Sequence, residues 1–391
     1  MMAPLGTASE RSESLYIGIM TGTSLDAIDV AVCRFENKIV ELIHFHSSAW
    51  PKQIRTKLLT LASAEMVRMD DVATLHFALA KEYARSVNET LQEARLDARQ
   101  ICAIGLHGQT VRHLPAQGAT LQLGNGSALA ALTGIDVVSD FRAADVALGG
   151  QGAPLMPMFD YAFLKSDTLD RATLNIGGIA NITWLPKGAS IEDVIAFDTG
   201  PGNMLLDLTS RRYLDEPFDR NGEHAREGSI NDHMLRELLD CAYFAMAPPK
   251  TTGREVFGEA FISPIMKSIG TREITVDDAL ATLTELTARS VAQSFRFVGS
   301  AGPFELVVSG GGIRNILLME RLSVNLPQAH IVSSDVFGIS ASAKEAIAFA
   351  FFAKAFLEEL PIHLPRTTGA HSRATLGTLA KARREESLIS Q

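Results

Sequence analysis

Residues 15–35, LYIGIMTGTSLDAIDVAVCRF, decide the fold, because two apolar segments flank a short turn of small and hydroxyl residues. β-Branched and aromatic residues dominate the segments at 15–20 and 28–35, a composition that predicts the two strands of a hairpin. A third segment of the same kind follows at 39–45, after further turn residues. The chain is therefore predicted to open with three closely spaced strands.

The second half of the chain repeats this opening. Two predicted strands within 172–185 flank Gly177 and Gly178, and strand and helix patterns alternate in both halves. Long helices are predicted at 71–94 and 276–297, where apolar residues recur every three or four positions. Such alternation predicts an α/β fold of two similar domains.

We predict lobes over 15–168 and 169–380. No low-complexity linker separates them, which favours a packed cleft between the lobes over two loosely tethered domains. The final predicted helix, at 342–360, can cross back to the first lobe. Residues 1–14 and 381–391 are polar and aperiodic and are predicted to be flexible tails.

Composition and charge exclude several classes of protein. Of the 391 residues, 46% are hydrophobic and 21% are charged, as in folded globular proteins, and the net charge is −9. That sign argues against general nucleic-acid binding. No stretch has the roughly 18 uninterrupted apolar residues that span a bilayer, and no apolar signal core begins the sequence, so we expect a cytoplasmic protein without a membrane partner. Three widely spaced cysteines predict neither a disulfide framework nor a zinc site.

The turn between the first two strands has the ingredients of a phosphate site. Hydroxyl groups and exposed backbone amides can hold phosphate oxygens, and a carboxylate beside them can hold a hydrated magnesium ion. The same residue types also form ordinary turns, and the turn alone does not decide between the two interpretations. The P-loop, nucleophile-elbow and zincin motifs are absent from the sequence. The candidate phosphate-binding residues are Gly22, Thr23, Ser24, Leu25, Asp26, Ala27, Ile28 and Asp29.

Asp198 stands where a predicted apolar strand meets a glycine-rich turn, in the sequence FDTGPGN at 197–203. A carboxylate at such a strand end can act as a general base, or can merely cap the turn that follows. Gly310, Gly311 and Gly312 follow another predicted strand, and bare backbone there can lie against a nucleotide. Tight turns also need glycines of this kind without any ligand.

His107 and Arg142 each follow an apolar strand, so their side chains are predicted to emerge at the same edge of the first lobe. Arg142 can pair with a carboxylate or a phosphate through two parallel hydrogen bonds. A histidine at a strand end is more often a hydrogen-bonded structural residue than a ligand. A structural role is therefore the competing interpretation of His107.

Taken together, these motifs resemble those of the anhydro-N-acetylmuramic acid kinases, within the sugar kinase, Hsp70 and actin superfamily. Their order and spacing extend over nearly the whole chain. The resemblance is carried by YIGIMTGTSLD at 16–26, HGQT at 107–110, GIDVVSDFRAADVALGGQGAPL at 134–155, LNIGGIANI at 174–182, FDTGPGN at 197–203, KTTGREVF at 250–257 and the segments at 309–315 and 367–370.

The resemblance implies two actin-like (ribonuclease H-like) lobes, each with a mixed five-stranded sheet, that close on ATP and sugar in an inter-lobe cleft. It also implies that water opens the 1,6-anhydro ring of anhydro-N-acetylmuramic acid while the 6-oxygen is phosphorylated. The product is N-acetylmuramic acid 6-phosphate, an intermediate of peptidoglycan recycling. In this reaction Asp198 takes a proton from water, and the oxygen released from the ring attacks the γ-phosphate.

The resemblance also assigns binding roles. Residues 22–29 are expected to wrap the phosphates of ATP, Asp26 to hold Mg2+ through water, and Gly311 and Gly312 to lie near the nucleoside. The expected substrate contacts are Arg142, Glu345 and His107.

The chain departs from the family pattern at two places. GISASAK at 338–344 replaces a segment that commonly has Pro-Pro and an aromatic residue before the glutamate, and Ala27 replaces a frequent glycine. Another anhydro- or amino-sugar remains an alternative substrate, and an ATPase switch protein remains an alternative function. The absence of an extra peptide-binding or polymer-forming insert favours the kinase. A homodimer is compatible with the sequence.

Overall fold

A computed structural model describes residues 14–22, 25–36, 38–64, 66–299, 302–360 and 362–382. The chain divides into two units, each with its own set of internal contacts. Unit 1 contains the described residues within Met1–Phe163 and Phe337–Gln391, and unit 2 contains those within Leu164–Val336.

Strands and α-helices alternate along both units. The strands are β1 (Leu15–Met20), β2 (Ala27–Glu36), β3 (Ile39–Ala49), β4 (Ile101–Leu106), β5 (Gln109–Leu114), β6 (Ala119–Leu123), β7 (Val137–Ser139), β8 (Arg171–Ile176), β9 (Ile179–Leu185), β10 (Ile195–Pro201), β11 (Phe304–Ser309), β12 (Ala329–Ser333) and β13 (Thr378–Ala380). The helices are α1 (Lys52–Ser63), α2 (Met69–Ala94), α3 (Gly126–Thr133), α4 (Ala143–Ala147), α5 (Met156–Leu164), α6 (Met204–Tyr213), α7 (Glu223–Glu227), α8 (Asp232–Leu239), α9 (Ala242–Ala245), α10 (Glu259–Gly270), α11 (Val276–Ser294), α12 (Ile316–Asn325), α13 (Lys344–Leu357) and α14 (Pro365–Thr368).

The sheet of unit 1 is mixed, with strand order β13-β7-β4-β1-β2-β3. β1, β2 and β3 pair antiparallel, as the hairpin pattern predicts, whereas β1, β4 and β7 run parallel. Ile17 and Ile104 of the sheet pack with Leu79 and Tyr83 of α2 in a solvent-excluded core. Because parallel strands end at the same edge, the turn after β1 and the segment after β4 begin side by side.

Helix α13 lies directly against β1 and β4. Gly18 and Gly105 are paired neighbours on these strands, and a Cβ built on them would stand 1.8 Å from Ala346 O and 1.9 Å from Phe349 O, respectively. Glycine at both positions is therefore what lets the helix backbone approach the sheet so closely.

This packing changes the predicted division of the chain. Residues from Phe337 onward group with unit 1, and the first boundary falls between Phe163 and Leu164. The predicted second lobe, 169–380, is therefore too long at its C-terminal end, because α13 packs on the sheet of unit 1. The C-terminal helix does cross back, as the sequence allowed.

The sheet of unit 2 has strand order β10-β9-β8-β11-β12. β8, β9 and β10 pair antiparallel, and β8, β11 and β12 run parallel. Leu174 and Leu306 form part of its buried core with Val291 of α11 and Leu322 of α12. When these five strands are numbered by their order along the chain, they lie in the sheet in the order 3-2-1-4-5. The strands β3, β2, β1, β4 and β7 of unit 1 lie in the same order.

The predicted α/β fold class, two lobes of the actin-like type with mixed sheets, is confirmed. Five strands were expected in each sheet, and unit 1 has a sixth because β13 pairs antiparallel with β7. Helix α1 and the separate β5–β6 hairpin were not predicted. No helix in the part of the chain that the structure describes is both long and apolar enough to cross a bilayer.

Candidate active site

The turn that follows β1 is held by neighbouring elements of unit 1. Thr21 is buried and donates from Oγ1 to the carbonyl of Gly108, 3.1 Å away. Gln109 donates from Nε2 to the carbonyl of Gly22 at 3.3 Å. The N–H of Leu25 donates to the same carbonyl at 3.2 Å. These bonds fix the backbone where the turn begins and ends.

The other residues of the predicted phosphate turn divide between solvent and core. Thr23 and Ser24 lie outside the described residues. Asp26 is exposed, whereas Ile28 is fully buried, so the Ile28 side chain belongs to the core. Burial raises the pKa of Asp29, and the nearby charge of Asp26 adds to that effect. Only Asp26 among the described residues of this turn presents an exposed carboxylate.

The turn accommodates the family departure at Ala27. This residue begins β2, and its φ lies outside the left-handed region that favours glycine. Among the described residues of the turn, Leu25 is the left-handed one, with φ of 57°. Its side chain is buried, and Arg55 donates from Nε to its carbonyl at 3.0 Å. An extra methyl group at position 27 therefore introduces no backbone strain.

Two of the predicted substrate contacts are bonded to each other. Arg142 donates from Nε and Nη2 to Nε2 of His107, at 3.2 and 2.9 Å, and from Nη1 to the carbonyl of Gly152 at 2.6 Å. Because Nε2 accepts, the hydrogen of the neutral imidazole belongs on Nδ1. Burial, together with the positive charge of Arg142, holds the pKa of His107 well below its usual range. This geometry favours a structural role for His107, which orients the arginine.

Glu345, the third predicted substrate contact, lies near the same guanidinium. Burial lowers the pKa of Arg142 to about 10, and the Glu345 and Asp145 carboxylates oppose that decrease. Glu345 occupies the first turn of α13. Although the preceding segment departs from the family pattern, Arg142 and Glu345 are within electrostatic reach of each other.

In unit 2, Asp198 lies at a bulge in β10. The pairing register with β9 shifts between Asp198 and Gly200, and Gly200 has φ of 149°. A Cβ on Gly200 would stand 2.7 Å from a ring carbon of Phe244, so glycine is required there. A bulge of this kind redirects the side chain beside it.

Three contacts hold Asp198 in place. The N–H of Thr252 donates to Oδ2 at 2.9 Å. The Asp198 N–H donates to the carbonyl of Lys250 at 3.2 Å, and the hydroxyl of Tyr243 donates to the Asp198 carbonyl at 2.7 Å. Burial raises the pKa of Asp198 to about 7, the Glu255 carboxylate adds to the increase, and the Thr252 bond and the Lys250 charge oppose it. Asp198 therefore titrates near neutral pH.

Lys250 is a buried cation beside this aspartate. Its Nζ donates to the carbonyl of Tyr243 at 3.1 Å and lies 4.6 Å from the centre of the Tyr243 ring, 5.0 Å from that of Phe297 and 5.6 Å from that of Phe197. Burial and Arg296 lower the pKa of Lys250 to about 8. The aromatic faces stabilise the ammonium group that hydration no longer reaches.

Glycine-rich turns of unit 2 converge at the ends of β8, β10 and β11. Asn203 donates from its backbone to Gly177 O at 2.8 Å and from Nδ2 to Ile176 O at 3.2 Å. A Cβ on Gly312 would stand 2.3 Å from Cγ2 of Ile176, which explains that glycine by packing alone. A Cβ on Gly311 would meet nothing nearer than 3.9 Å. Of the two predicted nucleoside neighbours, Gly311 has open space over its backbone.

The residues that the structure describes offer no direct protein cage for a metal. Within the described ranges, no group of three or more His, Cys, Asp and Glu side chains is arranged to hold an ion. The sequence predicts a water-mediated contact from Asp26, and an exposed carboxylate suits such a contact. Hydrated Mg2+ commonly keeps several waters and takes few protein ligands.

Sequence analysis did not single out Gln109, Lys250 or Tyr243. Gln109 and Lys250 lie in motifs that carried the resemblance, but their partners are distant in sequence. Lys250 faces Asp198 only because the segment 243–252 folds across the end of β10. No local pattern predicts that contact.

The chain is similar over nearly its whole length to proteins of one known family. The family model described as anhydro-N-acetylmuramic acid kinase matches residues 14–382. The anhydro-N-acetylmuramic acid kinase of Shewanella amazonensis is 41% identical over 94% of this chain and 98% of its own length. That of Salinibacter ruber is 39% identical over 95% of this chain and 97% of its own length.

Among solved structures, the activator of the 2-hydroxyisocaproyl-CoA dehydratase from Clostridium difficile, with bound ADPNP, matches with a TM-score of 0.47 and 11% identity, covering 88% of this chain and 96% of its own. The family match and the two kinases extend over nearly all of the sequence, including the residues around Asp198, Arg142 and Glu345. The chain belongs to the anhydro-N-acetylmuramic acid kinase family.

Proposed function

We propose that this chain is a cytoplasmic anhydro-N-acetylmuramic acid kinase that uses ATP and Mg2+ and serves peptidoglycan recycling. The reaction adds water across the 1,6-anhydro bond and transfers the γ-phosphoryl group of ATP to the 6-oxygen. The water oxygen bonds to the anomeric carbon while the bond from that carbon to the 6-oxygen breaks. The 6-oxygen bonds to phosphorus, ADP leaves, and the proton lost by water passes through the base to solvent.

The observation that carries the proposal is the placement of Asp198 at the bulge of β10, with a single backbone donor on its carboxylate within the described residues. With a pKa of about 7, its carboxylate is ionised in a large share of molecules at neutral pH and is still basic enough to accept a proton from water. Thr252 donates to Oδ2, and no other described residue donates a hydrogen bond to the carboxylate. We therefore assign Oδ1 as the atom that takes the proton.

Unit 1 supplies the proposed phosphate and sugar contacts. The turn at residues 22–29 is assigned to the phosphates, and Asp26 to a water-mediated contact with Mg2+. Bound Mg2+ neutralises charge on the transferring phosphoryl group. Arg142 and Glu345 are assigned to the sugar, because a guanidinium held by fixed acceptors can bind the carboxylate of a muramic acid. Gly311 of unit 2 is assigned to the nucleoside.

The test is a coupled assay of ADP release with magnesium ATP and purified anhydro-N-acetylmuramic acid, run beside N-acetylmuramic acid and N-acetylglucosamine. We expect release with the anhydro sugar alone, and a product heavier than that sugar by one water and one phosphoryl group. Release without any sugar would instead favour an ATPase switch. Release with a different sugar would move the proposal to that substrate.

Asp198→Asn tests the assigned base. The variant is expected to fold and bind ATP but to lose at least about a thousandfold in kcat, because an amide cannot accept the proton. Asp170→Asn is a matched control in the same unit, since Asp170 also accepts one backbone N–H, from Lys187 at 2.8 Å. Normal turnover by Asp198→Asn would remove Asp198 from the mechanism.

A further inference from the structure

We infer that buried Asp145, held by His363 and Thr368, is a positioning residue for Arg142 and so for the sugar. Nothing in the assigned binding or catalytic roles uses these three residues. The inference rests on the proposed function, because it needs Arg142 to contact the substrate. It connects the C-terminal segment of the chain to the substrate arginine.

Asp145 is a fully buried carboxylate with a complete set of donors. It lies on α4, one turn after Arg142, and none of its surface is exposed. Its Oδ2 accepts the N–H of Gly152 at 2.5 Å, and its Oδ1 accepts from Nε2 of His363 and from Oγ1 of Thr368. Although burial alone raises the pKa of such a group, these hydrogen bonds hold the pKa of Asp145 below its usual value. The group is therefore a buried anion rather than a neutral acid.

The direction of the His363 bond is fixed by its second partner. The N–H of Ala374 donates to Nδ1 of His363 at 2.8 Å. Since Nδ1 accepts, Nε2 carries a hydrogen and donates it to Asp145. His363 is itself only 1% exposed, so both of its ring nitrogens are committed inside the protein.

Asp145 acts on Arg142 through the loop between them. The N–H of Gly152 donates to Oδ2 of Asp145, and the carbonyl of Gly152 accepts from Nη1 of Arg142 at 2.6 Å. The loop also wraps the carboxylate at Gly150, where a Cβ would stand 2.3 Å from Oδ2 of Asp145. Any displacement of Asp145 therefore moves the acceptor that orients the guanidinium. Small errors in the placement of a binding group have large effects on binding and rate.

The C-terminal segment reinforces the same loop. The N–H of Gln151 donates to the carbonyl of Thr368 at 2.8 Å, and the N–H of His371 donates to that of Leu148 at 2.9 Å. These bonds, with the side chains of His363 and Thr368, join residues more than two hundred positions apart in the sequence. The segment thus supports the loop from outside the strands β4 and β7, which His107 and Arg142 follow.

The experiment compares Thr368→Val with Thr367→Val in full-length protein. Both threonines are buried in α14, at 2% and 5% exposure. The Thr367 hydroxyl donates only within its own turn, to the carbonyl of Leu364 at 2.9 Å, and does not touch Asp145. Like Thr368→Val, Thr367→Val removes one buried threonine hydroxyl, but it leaves the hydrogen bond between Thr368 and Asp145 intact.

We expect Thr368→Val to raise the KM for the anhydro sugar by about tenfold, with the KM for ATP unchanged. Thr368→Ser, which keeps the hydroxyl, should restore the sugar KM, and Thr367→Val should match the wild type. His363→Leu and His363→Gln test the link by a second route, since only the glutamine amide can still donate to Asp145. We expect the leucine variant alone to show the higher sugar KM, which keeps the inference testable if Thr368→Val fails to fold.

Equal sugar KM values for an active wild type, Thr368→Val and His363→Leu would overturn the inference and leave the proposed function standing. Parallel increases in the KM for sugar and for ATP would also overturn it, because they would indicate a general structural defect. A wild-type protein without sugar-dependent ADP release would overturn the proposed function, and the inference with it.

Discussion

The raised pKa of Asp198 predicts that the protein is more stable without this carboxylate at neutral pH. Asp198→Asn removes the charge but keeps a side-chain oxygen that can accept the Thr252 N–H. We expect the variant to unfold at higher urea concentration than the wild type above pH 7, and to lose this advantage as the pH falls. A substitution that abolishes turnover is thus expected to stabilise the fold.

The sign and size of the effect follow from proton linkage. Asp198 has a pKa of about 7 in the folded protein and an ordinary value of 3.8 in the unfolded chain. Between these values the folded state holds a proton that unfolding releases, so the free energy of unfolding falls by about 1.4 kcal/mol for each rise of one in pH. The total is about 4 kcal/mol, of which about 2.5 kcal/mol falls between pH 5 and pH 8. Stability from this group is therefore greatest below the unfolded pKa and is lost as pH rises through the folded pKa.

Tryptophan fluorescence can report this change for unit 2 alone. The chain has two tryptophans. Trp184 is buried in the core of unit 2, and Trp50 is buried in unit 1. In a Trp50→Phe background, urea unfolding followed at Trp184 gives the free energy of unfolding of unit 2 with and without Asp198→Asn. The quantity to compare is the difference between the two proteins at pH 5, 6, 7 and 8.

A difference that stays constant with pH would refute the reasoning. It would show that Asp198 has an ordinary pKa in the folded protein, and it would remove the reason to expect a neutral-pH base. The acid limb of kcat/KM provides an independent check, since it should have its midpoint near the same pKa, about 7. Agreement between the two midpoints would tie the catalytic ionisation to this carboxyl.

Three further perturbations have defined outcomes. Lys250→Met removes a charge that lowers the pKa of Asp198, so the acid limb of kcat/KM should move upward by about one pH unit or less in an ADP-release assay. Gly18→Ala places a methyl group 1.8 Å from a carbonyl oxygen of α13, so the free energy of unfolding of unit 1 in urea should fall by about 3 kcal/mol. The methyl group of Gly270→Ala meets nothing within 4 Å, so that variant should lose little stability. Glu285→Gln removes the carboxylate that pairs with Arg289 at 2.7 Å and with Arg321 at 2.6 Å. The free energy of unfolding of unit 2, measured from the Trp184 transition, should fall by about 3 kcal/mol.

Local patterns were sufficient for most strands and for about half of the helices. The hairpins β1–β2 and β8–β9 were predicted because each strand has a dense apolar composition and each turn has residues that reverse the chain. Helices α2 and α11 were predicted from an apolar face that recurs along many turns. These signals depend on neighbours within a few residues, and tertiary packing did not override them.

Local sequence patterns did not predict where the C-terminal segment packs. Helix α13 was predicted as a helix that can cross back to the first lobe, but the strands that it covers were not predicted. The evidence for that contact is two glycines on distant strands, Gly18 and Gly105. A glycine in a strand has several explanations, and none names the helix that will cover it. The extent of the second lobe was misjudged for this reason.

The same distinction between local patterns and contacts of distant segments applies to the candidate site. Asp198, Arg142 and His107 were singled out because each follows an apolar strand predicted from the sequence, and polar residues at strand ends can meet at one edge of a sheet. Lys250, Thr252 and the Asp145 network were missed because their roles depend on which segments fold across those strand ends. Only the resemblance drew attention to Glu345, and the geometry places its charge within reach of Arg142.

Glu285 is a fully buried carboxylate of unit 2 and Asp198 a partly buried one, and comparing them separates a structural role from a chemical one. Glu285 is fully buried and accepts from Arg289, Arg321 and Asn325, so its pKa lies below the usual value although burial alone would raise it. Asp198 receives one backbone N–H and, within the described residues, no ion pair, so burial dominates and its pKa rises to about 7. A fold selected only for stability would surround the Asp198 carboxylate with several donors, as it surrounds that of Glu285. Removing Asp198 partly from solvent with one donor on its carboxylate destabilises the native state above neutral pH. It also leaves a carboxylate oxygen basic enough to activate water.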